Sequence, residues 1–183
     1  MTRIIAGTAK GRTIKVPQAG TRPTSDRVRE AVFTSLTSRL GSFSELAVLD
    51  LYAGSGAFAL EAISRGATHA TLVEKHPATA NVIKENAQKL NFEVVVKSSD
   101  VKTFLKSAGT LKFDLVYIDP PYDYPNEDVE EVLRLLVEGG HLEAEAVVVV
   151  ERSARGEQFQ WPASYEQVQE RMYGETLVKS GVC

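Results

Sequence analysis

The run Ala47-Val48-Leu49-Asp50-Leu51-Tyr52-Ala53-Gly54-Ser55-Gly56 decides the fold. Up to Tyr52 it is apolar apart from Asp50, the pattern of a strand buried on both faces. Ala53–Gly56 is a glycine turn. Ala57–Arg65 then reads as a helix, with Gly66 as the residue that stops it. The chain repeats this unit. Ala70–Glu74, Glu93–Lys97, Phe113–Ile118 and Ala146–Val150 are further strands. Between them lie helices at Pro77–Leu90, with proline in the first turn, at Val101 to about Ala108, and at Asn126–Val137, ended by Gly139-Gly140. Such alternation predicts an α/β fold, a parallel sheet with helices on both faces. The tail breaks the pattern: Tyr165–Tyr173 and Glu175–Lys179, joined at Gly174, read as a terminal hairpin.

In an open α/β sheet a ligand lies beyond the carboxyl ends of the strands. The first turn lacks the third glycine of the dinucleotide fingerprint, which argues against a pyrophosphate grip. Its glycines still let a ligand lie against the backbone. Glu74 ends the second strand, placed to accept both hydroxyls of a ribose. Ser99-Asp100 follows the third, where Asp100 meets an adenine amine, and Asp50 faces an amino-acid end. Acids at three strand ends suit a nucleoside with a cationic tail, S-adenosylmethionine. The candidate cofactor contacts are Asp50, Tyr52, Ala53, Gly54, Ser55, Gly56, Glu74, Lys75, Ser99 and Asp100.

The strand Phe113–Ile118 runs straight into Asp119-Pro120-Pro121-Tyr122. Proline offers no N–H to a sheet ladder and restricts the residue before it. Asp119 and the neighbouring carbonyls are therefore held stiffly beside the flat ring of Tyr122. A planar exocyclic amine of a base fits such an acceptor set, with its ring stacked on tyrosine. Asp119, Pro120, Pro121 and Tyr122 are the candidate catalytic residues.

The 183-residue chain carries a net charge of −3, unevenly spread. Residues 1–40 hold eight Lys/Arg and two acids, and the remainder holds 13 Lys/Arg and 22 acids. A basic arm on an acidic body points to a polyanion. Arg3–Ala6 and Arg12–Val16, with Gly7 and Gly11 at the turn, read as a hairpin displaying Arg3, Lys10, Arg12 and Lys15. Thr24, Ser25 and Asp26 are N-cap candidates for a helix to about Leu40. Arg27 and Arg29 near its start oppose the helix dipole. Either an anionic ligand or a partner acid in the main domain relieves that cost.

The single cysteine, Cys183, excludes a disulfide framework, and His69, His76 and His141 lack metal-ligand spacing. No run approaches a membrane span, and Met1–Gly7 has no long apolar segment, so a cytoplasmic protein without a signal peptide is expected.

Asp50–Gly56, Glu74, Asp100 and Asp119–Tyr122 together resemble the signature of the class I amino-methyltransferases. Arg3-Ile4-Ile5-Ala6-Gly7, Gly11-Arg12, Arg22-Pro23-Thr24, Asp26–Ala31, Glu61-Ala62, Ser64–Ala67 and Tyr173-Gly174 are similar to one branch. That branch is the bacterial 16S rRNA guanine-966 N2-methyltransferase family. The likeness runs essentially from end to end, loosely over Lys179–Cys183. It implies a Rossmann-like, mostly parallel seven-stranded sheet with a C-terminal antiparallel hairpin. It also implies an RNA-binding extension over residues 1–42 on a methyltransferase domain over 43–183, with Arg3, Lys10, Arg12, Arg22, Thr24, Arg27 and Arg29 as RNA contacts. The expected partner is 16S rRNA in the small ribosomal subunit or its late precursor, with no membrane, no metal and a monomeric enzyme. Three other readings compete. A DNA adenine-N6 methyltransferase shares the motif but usually carries a target-recognition domain. A non-catalytic assembly factor has no use for the acceptor set. A nicotinamide oxidoreductase calls for the missing glycine.

Overall fold

The structure, a computed structural model, describes residues 1–17, 26–107 and 111–183. A short hairpin, β1 (Thr2–Arg3) and β2 (Thr13–Ile14), precedes α1 (Asp26–Leu40). The body runs β3 (Ala47–Leu51), α2 (Ala57–Ser64), β4 (His69–Glu74), α3 (Pro77–Leu90), β5 (Val95–Ser98), α4 (Val101–Leu105) and β6 (Phe113–Ile118). It continues with α5 (Asn126–Glu138), β7 (Leu142–Ser153), β8 (Glu166–Tyr173) and β9 (Thr176–Val182). One seven-stranded sheet has the order β5-β4-β3-β6-β7-β9-β8. Its first five strands are parallel, and β9 pairs antiparallel with β7 and β8. The sheet is the expected Rossmann-like one with a reversed C-terminal hairpin.

From β3 the chain steps outward to β4 and β5, then returns across β3 to lay down β6 and β7. The strand order therefore reverses between β3 and β6, where Leu51 lies beside Ile118. Their carboxyl ends diverge into the crevice that α/β sheets use for ligands.

Alternate strand residues face opposite layers. Leu49, Leu51, Val116, Ile118, Val148 and Val150 pack on Val129, Val132, Leu133 and Leu136 of α5. Val48, Leu115, Tyr117, Val147 and Val149 pack on Val32, Phe33 and Leu36 of α1 and Phe58 of α2. Both faces are covered, which is why the strands are almost continuously apolar. α1 is thus part of the body's core, although it belongs to the basic segment.

The hairpin is docked by backbone groups. Buried Glu61 accepts from Ile5 N (2.6 Å) and Ala6 N (2.9 Å), and is paired with Arg65. These bonds take Ile5 and Ala6 away from pairing, and Asn86 takes Lys15 N and O, which leaves β1 and β2 two residues each. Gly7 has φ +80°, and a Cβ there would lie 1.7 Å from Ser64 O, so only glycine fits.

β7 and β9 are longer than their apolar runs. β7 begins at Leu142 and reaches Ser153 because β9 pairs with it from Val147↔Val182 to Ser153↔Thr176. That pairing also settles the loosely matching tail as strand up to Val182. β8 is the exposed edge; Gln167 at φ +50° and a register shift between Glu166 and Gln169 interrupt it.

Candidate active site

Asp50 lies at the end of β3, 2% exposed. Its Oδ2 accepts from Ala59 N in the first turn of α2 at 3.2 Å. Gly56, the N-cap residue of α2, provides no side-chain cap, so Asp50 reaches across from the strand to satisfy an orphan donor. Burial pushes the Asp50 carboxyl well above the usual range, the Ala59 amide opposes this, and Asp119 and Glu74 add to the rise. Asp119 and Glu74, from the two neighbouring strands, thus both lie within electrostatic reach of Asp50.

Glu74 fixes the glycine turn. Its Oε2 accepts from Gly54 N (3.1 Å) and its Oε1 from His76 N (2.8 Å). Asp100 caps α4, its Oδ1 accepting from Lys102 N (3.0 Å) and Thr103 N (3.2 Å). Each acid expected to meet the cofactor thus also holds backbone amides at the crevice. The two roles are compatible, because a carboxylate has about four acceptor sites.

The turn itself is tight. Gly54 and Gly56 have φ +54° and +76°, and Tyr52, a non-glycine, has φ +63°. A Cβ on Gly56 would approach Ile83 and Leu72 to 3.1 Å. The left-handed Tyr52 is a local strain that nothing in its sequence neighbourhood signals. Its ring meets that of Tyr124 edge-on at 5.3 Å. Ser55 O accepts from Asn86 Nδ2 (3.0 Å), and the same amide accepts from Lys15 N (2.8 Å) and donates to Lys15 O (2.9 Å). Buried Asn86 therefore ties the N-terminal segment to the glycine turn, a link the sequence reading missed. Ala53 is buried beneath the turn, Lys75 is exposed beyond Glu74, and Ser99 Oγ turns to Asp100 O.

Across the switch point, Asp119 N lies 3.5 Å from Leu51 O, at the end of the β3–β6 ladder. Pro120 is buried, while Tyr122 is 46% exposed. The loop is held from β7. Arg152, 8% exposed, donates to Pro121 O (3.2 Å), Tyr124 O (2.6 Å) and Asn126 Oδ1 (3.4 Å). Arg152 was also missed; the available signal was a guanidinium two residues after the buried run Ala146–Val150, beside the strand that carries the motif.

The basic residues divide. Arg3, Lys10, Arg12 and Arg27 are exposed, and Arg3 also pairs with Asp26 at 3.6 Å. Arg29 departs from its expected display: it is 2% exposed and donates to Asp26 Oδ1 (3.0 Å), Thr2 Oγ1 (3.3 Å) and Arg3 O (2.5 Å). Its partner acid is in its own helix, not in the main domain. Arg12 is likewise engaged, donating to Leu90 O at 3.1 Å and to Lys89 O, the free carbonyls at the end of α3. Lys15 pairs with Glu85 at 2.7 Å. Arg22 and Thr24 lie outside the described residues. Among the described residues no acid, histidine or cysteine cluster could hold a metal ion, and no helix is long and apolar enough to cross a membrane.

A mostly parallel sheet closed by a reversed hairpin, with acids around a glycine turn at the switch point, defines the Rossmann-like methyltransferase class. The chain matches the family described as Conserved hypothetical protein 95 over residues 2–181. It belongs to that family, and to that of the ribosomal RNA small subunit methyltransferase D proteins. It shares 37% identity over 181 residues with the protein of that name from Escherichia coli strain K12, covering 97% of this chain and 87% of the relative. A putative rRNA methyltransferase, YlbH, of Bacillus subtilis is 30% identical, with 96% of each chain covered. Among solved structures, the putative methyltransferase yhhF from Escherichia coli superposes with a TM-score of 0.85 at 34% identity, covering 98% of this chain and 96% of that one. A magnesium protoporphyrin IX methyltransferase from Synechocystis, solved with bound S-adenosylmethionine, shares the fold at 13% identity and a TM-score of 0.65, with 85% of this chain and 78% of that one covered.

Proposed function

We propose that this protein transfers a methyl group from S-adenosylmethionine to the N2 amine of a guanine, of the guanine-966 type, in 16S rRNA of the small ribosomal subunit. The observation that carries the reading is the placing of Glu74 and Asp119, from the strands on either side, within electrostatic reach of buried Asp50, with an exposed Tyr122 three residues beyond Asp119. Two acids around buried Asp50 suit a ligand that brings positive charge; they do not suit a pyrophosphate. The near full-length relatives named as rRNA methyltransferases support the reaction class and the RNA.

The donor, when bound, supplies a methyl activated on a sulfonium. Asp50 and the turn Tyr52–Gly56 would hold its amino-acid end and body, Glu74 and Lys75 its ribose, and Ser99 and Asp100 its base. Asp119 and the Pro120 carbonyl accept the two N–H bonds of the guanine amine, which turns the nitrogen lone pair toward the methyl. That nitrogen becomes more positive in the transition state, where nearby acceptors stabilise it preferentially. Tyr122 stacks on the extruded base. Alignment of the reacting atoms can contribute on the order of 7–11 kcal/mol. Residues 1–42 serve as the RNA-binding extension and 43–183 as the catalytic body, with exposed Arg3, Lys10 and Arg27 on phosphates, in the cytoplasm where ribosomes are assembled.

Thermal unfolding separates this reading from a nicotinamide enzyme. S-adenosylmethionine raises the melting temperature and NADH does not. A shift with NADH alone overturns the cofactor assignment.

A further inference from the structure

Resting on the reading above, we infer that Arg152 is the positioning residue of the amine-acceptor loop: its guanidinium fork, anchored in β7, sets the distance and tilt of the Asp119–Tyr122 acceptors over the donor methyl. The loop has no ladder of its own. Pro120, Pro121 and Pro125 remove three backbone donors, and within it Tyr124 N closes a turn on Pro121 O at 2.9 Å. Arg152 holds both ends of that turn, through Pro121 O at 3.2 Å and Tyr124 O at 2.6 Å, and reaches the first residue of α5 through Asn126 Oδ1.

The anchor is rigid. Arg152 is a β7 residue paired with Leu177 of β9, and its neighbour Glu151 takes the Tyr117 hydroxyl of β6 beneath the motif. Arg152 takes the carbonyls of Pro121 and Tyr124, not that of Pro120, so the acceptor assigned to the substrate amine is outside its fork. Burial lowers the affinity of Arg152 for its proton, and Asp119 leads the groups that oppose this, placing the guanidinium within electrostatic reach of the reactive carboxylate. A planar fork binds several carbonyls at fixed angles, which an ammonium cannot reproduce.

The test compares wild type with Arg152→Lys and Arg152→Met by two readouts. The first is amide hydrogen exchange without substrate. Exchange in residues 119–126 speeds at least tenfold in both variants, while β3, β4 and α2 keep wild-type protection. The second is methyl transfer to unmodified small subunits. Turnover falls at least tenfold, with the S-adenosylmethionine dissociation constant within threefold of wild type, and Arg152→Lys recovers less than half of the loss despite its charge. Normal turnover by a folded Arg152→Met overturns the inference. So does unchanged exchange in the loop, full recovery by lysine, or failure of both variants to fold, which makes Arg152 a scaffold residue. If wild type itself methylates nothing, the substrate reading falls, while the exchange data still judge the clamp.

Discussion

Asp119 and Asp50 are both carboxylates at the crevice, and their surroundings give them different duties. Asp119 ends a strand against a proline that stiffens it, half-buried and next to an exposed ring. Asp119→Ala should cut methyl transfer by roughly 10²–10³-fold or more, the usual cost of losing one preorganised group at a developing charge. Cofactor binding, measured by calorimetry, should change little; normal turnover would remove Asp119 from the mechanism. Asp50 is almost fully buried at the end of β3, its carboxyl raised by burial and by its acidic neighbours. The folded state therefore binds this proton more tightly than the unfolded chain, whose pKa is near 3.9. Below that value Asp50 has no pH-linked effect. As pH rises above it, stability falls by up to about 1.4 kcal/mol per pH unit until the folded pKa is reached. Asp50→Asn removes this loss, so the variant's melting temperature should gain on wild type as pH rises from acid toward neutral. A constant difference between the two across pH would show that Asp50 is ionised throughout. The residue types at these positions were legible because each follows an apolar run. Arg152 and the left-handed Tyr52 were not, since one acts on a loop about 30 positions away and the other is strained by packing of the turn.

At the scale of elements, the sequence spoke most clearly where burial is two-sided. β3, β4 and β6 are continuous apolar runs, and their expected bounds hold to within a residue or so. Elements set by partners were harder to read. β7 extends to Ser153 through β9, and the hairpin strands shorten because Glu61 takes the Ile5 and Ala6 amides and Asn86 takes Lys15. Two predictions belong here. Gly7→Ala forces a side-chain carbon into Ser64 O, a backbone atom that cannot step aside. The hairpin should lift, exposing the Ile5 and Ala6 amides to rapid hydrogen exchange, while the sheet keeps its protection. Retained protection at those amides would mean the strain is absorbed elsewhere. Asn86→Ala cuts the link from Lys15 to Ser55 and removes three part-buried hydrogen bonds, at about 0.5–1.5 kcal/mol each. It should also weaken cofactor affinity, because the glycine turn loses its outer support. Calorimetry showing an unchanged dissociation constant would make Asn86 a purely structural bridge.

For the whole molecule, the charge asymmetry read from composition is real but only part of it reaches solvent. Arg29 is interior and Arg12 closes α3, so part of the basic excess joins the extension to the body. The α1 core contacts make the same point: the segment that meets RNA in this account is also built into the sheet's outer layer. Exposed Lys10 and Arg27, with Arg3 beside Asp26, are the residues proposed for phosphates. Lys10→Glu with Arg27→Glu should weaken binding to small subunits and flatten its dependence on salt by roughly one unit of log–log slope per lost phosphate contact. Equal affinities of variant and wild type across a salt series would take the extension out of the RNA interface.

The central claim is the identity of the methylated atom. Labelled S-adenosylmethionine is incubated with the protein and, separately, unmodified small subunits, naked 16S rRNA and DNA, and the digested products are identified by mass spectrometry. The account predicts N2-methylguanosine, from the assembled subunit or its precursor. N6-methyladenine from DNA, or no product while the cofactor still binds, would contradict it.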